Sequence, residues 1–284
     1  MTGPAGTALT VTAGGGDSFP WSVFGQGLAV AAGAALLVML ATFAVALRLG
    51  VHRVVDVAWG AAFAAVALAA WAHAAGRGEG DGVRQALVAA LTCVWGLRLA
   101  VHIARRGRGH GEDPRYAKML AKAPGSPALY ALRKVYLLQG ALVWLISLPV
   151  QAAMLLPGLP GPVAWAGTAV WALGLFFEAV GDHQLARFKA DPAHRGRLMD
   201  RGLWSWTRHP NYFGDFCVWW GLFLCASEQV PVAAAVLVSP VVMSLLLTVG
   251  SGKRLLEQHM AERPGYPEYA ARTSGFFPRP PRRG

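Results

Sequence analysis

DHQLARFKADPAHRGRLMDRGLWSWTRHPNYFGDFCVWWG, residues Asp182–Gly221, is the stretch whose reading decides the fold. It leaves an apolar segment on an acidic residue, crosses a basic polar loop, and re-enters apolar sequence through Arg208-His209-Pro210-Asn211-Tyr212. Nowhere else in the chain do so many polar groups crowd against hydrocarbon-length segments. Such a boundary belongs at a membrane surface.

Composition agrees. Of 284 residues, 55% are apolar and only 14% charged, a balance that would expose too much apolar surface in water and marks an integral membrane protein. The net charge of +11 is explained by basic residues flanking membrane spans, so nucleic acid is not an expected partner. Cys93, Cys217 and Cys225 lie inside apolar runs without metal-ligand spacing. They read as small buried hydrophobes, and no metal site is expected. The N-terminus lacks a basic n-region, so no cleaved signal peptide is expected. Residues 1–20 read as a disordered lead-in, and residues 21–284 as a single membrane domain.

Seven apolar segments have about the length, near 20 residues, that a helix needs to span a bilayer. They run at 25–47, 54–75, 84–104, 134–156, 162–181, 211–227 and 230–250. Lys and Arg number two in the first connection, eight in the third, six in the fifth and seven in the tail. The second connection has two, and the fourth and sixth none. Positive charge therefore alternates, which predicts an all-α, seven-helix protein with its N-terminus outside and its C-terminus cytoplasmic. The expected location is a bacterial-type cytoplasmic (inner) membrane, crossed several times. Three polar stretches, 104–133, 182–210 and 251–284, would then share the cytoplasmic face.

Ionisable groups inside spans are costly and are candidates for function. Asp56 sits just inside the second span, where it serves either a site or an ion pair with Arg53 or Arg98. Arg98, a turn from the end of the third, reads as a side chain snorkelling to the interface. In the third loop, Glu112-Asp113-Pro114-Arg115-Tyr116 alternates acid and base. Arg115 and Tyr116, with Arg105 and Arg106, suit either anionic headgroups or a phosphate-bearing cofactor.

Glu178 and Asp182 are four apart and share a helix face, and Gln184, Arg187 and Lys189 follow. Carboxylates for a ribose or amine, with cations for phosphate nearby, are what a nucleotide-like ligand needs. Pro210 suits the first turn of a helix, so Asn211 and Asp215 lie on one face of the sixth span and Tyr212 on another. A helix N-terminus beside Arg208 and His209 suits anionic groups. The alternative is structural: Asn211 as a cap, Tyr212 as an interfacial anchor, Asp215 paired with Arg208. Beyond the seventh span, Lys253 and Glu257 are four apart and can close the same pocket. The tail GYPEYAARTSGFFPRPPRRG reads as an amphipathic segment lying back on the membrane.

RHPNYFGD, with GLW before it and YPEYAARTSGFFP after it, resembles the steroid 5-alpha-reductase-like membrane proteins, specifically a bacterial branch of that superfamily. DVAWG, VWGLRLAVHIARR and GEDPRY resemble the same branch, so the likeness runs from about Val51 to Pro278. It implies a seven-helix reductase that uses NADPH to reduce a polarised carbon–carbon double bond in a lipid or steroid-like substrate drawn from the bilayer. Asn211 and Asp215 would contact the adenosine or ribose part of the cofactor, and Asp182 would be an acidic contact. Lys253 and Glu257 would lie beside cofactor and substrate. Lys189, Arg208, His209, Tyr212 and Arg115 complete the expected cofactor set. Steroid 5-alpha-reductases differ where this chain has Arg208-His209-Pro210, and place a Tyr and a His near Glu257 and Lys253. The catalytic acid is therefore open among Asp56, Glu257 and Tyr116. The RHP-x-Y-x-G pattern with a later glutamate and Tyr-x-x-Tyr is also similar to isoprenylcysteine and phospholipid methyltransferases, which implies S-adenosylmethionine as the alternative cofactor.

Overall fold

The structure, a computed structural model, describes residues 18–250 and 252–281. Residues 1–17 of the expected lead-in and the last two arginines lie outside that range. Phe19 is already buried, with its ring 4.8 Å from Trp21 and 5.5 Å from Phe24, so ordered packing begins before position 20.

The described residues form helices and no strand beyond one parallel bridge between Thr207 and Ser274. In chain order they are α1 (Trp21–Leu49), α2 (Val54–Gly76), α3 (Gly82–Gly107), α4 (Pro114–Leu120), α5 (Pro127–Ala131), α6 (Leu137–Ile146), α7 (Leu148–Ala153), α8 (Pro162–Ala190), α9 (Leu203–Trp206), α10 (Pro210–Cys225), α11 (Val230–Val236), α12 (Val238–Thr248), α13 (Lys253–Met260) and α14 (Tyr266–Arg272). A π-helical turn, Leu132–Tyr136, joins α5 to α6. Local chemistry sets several ends. Gly50, at φ 67°, closes α1 in the left-handed conformation that favours glycine. The Asp81 side chain caps α3 by accepting from the Val83 and Arg84 N–H groups. Prolines occupy the first turns of α8 and α10.

Six helical runs among the described residues are long and apolar enough to cross a membrane. They are α1, α2, α3, Pro127–Ile146, α8 and Val230–Met260. Large apolar side chains such as Leu37, Trp165, Phe176 and Leu245 face outward, as hydrocarbon surroundings allow. The sixth expected span becomes α10, which has only 16 residues. At 1.5 Å per residue it is about 24 Å long, short of a bilayer core of about 30 Å. The expected fourth span also shifts. Its helix starts at Pro127 rather than 134 and breaks at Ser147 before α7, because Ser126 caps it upstream and Pro149 interrupts it. Finally, α8 runs to Ala190, nine residues past its expected end at 181.

Glycines fix how the helices meet. Gly167, Gly174 and Gly181 recur every seventh residue of α8, and α10 crosses this stripe antiparallel. A Cβ on Gly174 would stand 2.5 Å from the Gly214 carbonyl, and one on Gly221 2.6 Å from that of Gly167. Gly60 of α2 and Gly96 of α3 meet in the same way, at 2.2 Å. Close backbone approach over small residues is how membrane helices gain packing without a hydrophobic drive. Phe63, Trp95 and Trp219 fill the space between α2, α3 and α10, with centroids 4.6 to 5.5 Å apart. Opposite the polar loops, Arg84 is buried. It donates to the carbonyls of Cys225, Gly158 and Leu159 and pairs with Glu228, which also accepts the Gly161 N–H. That clamp ties α3, the turn before α8 and the end of α10 together at one pole, leaving the other pole to the polar loops and the tail.

Candidate functional site

The antiparallel register of α8 and α10 carries two polar positions on each helix to the same level. Asp182 accepts from the Asn211 amide at 3.3 Å, and Glu178 lies one turn along, opposite Asp215. From α3, Arg98 donates to Asp182 at 3.0 Å and pairs closely with Glu178. The Trp95 indole donates to Glu178 at 2.9 Å, and the His102 ring is 3.6 Å from Asp182. Arg98 therefore does not snorkel. It turns inward and bridges two carboxyl groups of a neighbouring helix, with 21% of its side chain exposed. Asp215 does not pair with Arg208; its carboxyl interacts instead with the Trp219 indole N–H one turn along α10, outside ideal hydrogen-bond geometry.

The second cluster joins the α10 entry to the tail. Arg208 donates to Glu257 at 2.9 Å and to the carbonyls of Ala270 and Thr273 at 3.0 and 2.8 Å. Lys253 reaches the other Glu257 oxygen at 4.0 Å. Around them the backbone is stitched: Arg208 N–H to Ser274, Arg279 N–H to Trp206, the Thr207 hydroxyl to Phe276 and the Tyr269 hydroxyl to Trp204. His209 lies 3.1 Å from Glu257 through Nε2, while its buried Nδ1 has no partner. Burial, partly opposed by Glu257, pushes its pKa down to about 4. The ring is therefore neutral near pH 7. An ionised Glu257 fixes the tautomer with the proton on Nε2. Tyr212 stacks on this ring at 5.4 Å.

The third cluster forms where the loop after α3 returns to α2. The Tyr116 hydroxyl donates to Asp56 at 2.6 Å. Arg115 bridges Asp56 and Asp113, at 3.0 Å to each. Neither Arg53 nor Arg98 pairs with Asp56. Arg53 instead donates to the Gly111 carbonyl, and the His52 and Arg53 N–H groups bind Glu112. Burial, then the Asp56 charge, drives the Tyr116 hydroxyl's pKa well up, and its bond to Arg115 holds Asp113 down.

The expected residues thus divide into three neighbouring sets: Asp182, Asn211 and Asp215; Arg208, His209, Lys253 and Glu257; and Asp56, Arg115 and Tyr116. Arg106, at the end of α3, is within electrostatic range of Asp56, His102, Lys189 and Tyr212 and links the sets. Lys189, Arg208 and His209 share the wall of a cavity of about 440 Å³, and Lys253 and Glu257 that of a second, of about 620 Å³. Trp95 and His102 were missed by sequence reasoning. Their signal was their place in VWGLRLAVHIARR, where Trp95, Arg98 and His102 fall on one face at helical spacing.

Residues 42–273 match the family described as protein of unknown function (DUF1295). The chain is 26% identical over 224 residues to uncharacterized protein C594.04c of Schizosaccharomyces pombe (strain 972 / ATCC 24843), an alignment that covers 69% of this chain. It covers 64% of that relative, so the chain spans less than two thirds of the relative's length. No solved structure matches the chain. The family match takes in everything from the last eight residues of α1 through α14, including all three polar clusters, and the chain belongs to the DUF1295 family.

Proposed function

We propose that the protein is a membrane-embedded reductase that uses NADPH to reduce a carbon–carbon double bond in a lipid or steroid-like substrate, as the resemblance to steroid 5-alpha-reductase-like proteins implies. The observation that carries this reading is the 2.6 Å hydrogen bond from Tyr116 to Asp56. Reduction of an enone requires a proton donor at the carbonyl oxygen, and a phenol bound to a carboxyl is such a donor. Methyl transfer from S-adenosylmethionine requires none. Support also comes from groups that suit a dinucleotide. Asp182 and Asn211, paired at 3.3 Å, offer an acceptor and an amide to a ribose hydroxyl. Arg106 and Lys189, which have no carboxylate partner among the described residues, suit phosphates.

NADPH, when bound, supplies the hydride. The chain's part is orientation and charge. Arg98 holds Asp182 and Glu178 in place, so that ligand hydroxyls meet fixed acceptors. Tyr116 would lend its proton to the oxygen on which negative charge grows and take one back from water, while Asp56, which accepts from its hydroxyl at rest, would hold that hydroxyl in place. Arg115, on the other Asp56 oxygen, keeps that carboxyl oriented. A positioned acid of this kind contributes about 10²–10⁴-fold. In this reading the chain crosses a bacterial-type inner membrane seven times, α10 included, with the polar pole cytoplasmic, and the substrate enters from the bilayer.

The contact of Arg208 and His209 with Glu257 gathers the residues shared with isoprenylcysteine and phospholipid methyltransferases, so S-adenosylmethionine is the second reading. The deciding experiment supplies purified protein in lipid with [4-²H]NADPH or methyl-labelled S-adenosylmethionine. Deuterium in a lipid product, absent with Tyr116→Phe, supports the reductase. Methyl label alone would make it a methyltransferase.

A further inference from the structure

The 440 Å³ cavity lies between the end of α8, the 191–199 loop, α9, α13 and α14. Its wall carries five cationic side chains, Lys189, Arg195, Arg197, Arg208 and Arg263, against one acid, Asp191. That acid faces His194 at 3.3 Å and the Ala193 N–H. Arg208 is held by Glu257. Among the described residues, Lys189, Arg195, Arg197 and Arg263 have no carboxylate partner, and Lys189 and Arg263 are close enough to repel. Basic residues on an open face stay hydrated and apart. Here three separate segments bring them to the rim of one cavity, where a single anion would meet several of them at once.

The rest of the wall is not polar. Phe188 and His194 stack with centroids 4.3 Å apart and planes 12° off parallel. Leu256, Met260 and the buried Tyr266 complete an apolar lining. A ligand that satisfies both halves has a phosphate at one end and an apolar or flat body at the other.

We infer that this cavity is an organophosphate site, with Arg195, Arg197 and Arg263 as its phosphate ligands. It shares Lys189, Arg208 and His209 with the cofactor set and in its nucleotide form deepens that reading, whereas its lipid form stands without it. Its occupant is either a soluble organophosphate, such as a nucleotide's phosphorylated ribose, or an anionic lipid headgroup with its chain on Phe188 and Leu256.

The test uses full-length protein in nanodiscs and reads thermal stability. One arm titrates adenosine 2′,5′-bisphosphate into neutral phosphatidylcholine discs. The other replaces part of the neutral lipid with phosphatidylglycerol. Each is run on wild type, on Arg195→Gln/Arg197→Gln/Arg263→Gln, and on Lys118→Gln/Lys122→Gln/Arg133→Gln, which removes equal charge elsewhere. The three substituted arginines are exposed, so the first variant stays folded. Stabilisation in either arm that weakens by about tenfold or more in apparent affinity in the first variant, and persists in the second, supports the site and names its source. No stabilisation in either arm, or equal loss in both variants, overturns it.

Discussion

Arg98 of α3 donates to Asp182 of α8 at 3.0 Å while pairing with Glu178 one turn away, so a single guanidinium holds two carboxylates inside the bundle. That relationship ties α3 to the α8–α10 register, which also sets Asp182 against Asn211. Removing Arg98 leaves two carboxylates in a low-dielectric setting. Arg98→Ala is expected to cost roughly 3–5 kcal/mol, read as a large drop in the thermal midpoint of detergent-solubilised protein. Adding Glu178→Gln should recover part of the loss.

Tyr116→Phe separates chemistry from folding. It removes one hydrogen bond, worth about 1 kcal/mol, and leaves the ring in place. Cofactor affinity is expected to hold, while product formation falls by about 10²-fold or more. Asp56→Asn should follow the same pattern in single-turnover measurements.

His209 gives the protein an acid limb. Its folded pKa is about 4, against 6.5 unperturbed, so the unfolded chain binds the proton more readily. The stability it permits is complete above about pH 6.5 and is lost as the pH falls toward 4. The total is about 3 kcal/mol at 1.36 kcal/mol per pKa unit. Thermal midpoints across this window should decline in the wild type and flatten in His209→Asn.

Gly214→Ala places a Cβ 2.5 Å from both the Glu178 nitrogen and the Gly174 carbonyl. Backbone atoms there cannot swing aside, so the helices must part, at roughly 1–3 kcal/mol. Gly33→Ala on α1 meets nothing within 4 Å and is expected to be neutral or slightly stabilising. Thermal melts of the two variants check the contrast.

Hydropathy made the helical class legible, and four-residue spacing placed Glu178 with Asp182 and Lys253 with Glu257 correctly. Those signals are local. What stayed hidden was which helix each charge faces. Arg98 looks alike in sequence whether it snorkels or turns inward, and Asp56 finds Tyr116 sixty residues later, through a loop return no period encodes. The expected span at 211–227 lies within two residues of α10, but hydropathy did not show that these 16 residues are shorter than a bilayer core. Arg84 read as a loop cation because its partner, Glu228, lies 144 residues away.

If the polar pole binds NADPH through the α8–α10 cluster, as proposed, ligand titration with thermal readout will show it. A ligand bound only by the folded state raises stability by about 2.7 kcal/mol at a hundredfold excess over its dissociation constant. NADPH and NADP should stabilise the wild type, fail with folded Asn211→Ala/Asp215→Ala, and find no parallel in S-adenosylmethionine or S-adenosylhomocysteine. Stabilisation by the adenosylmethionine pair alone would contradict the account.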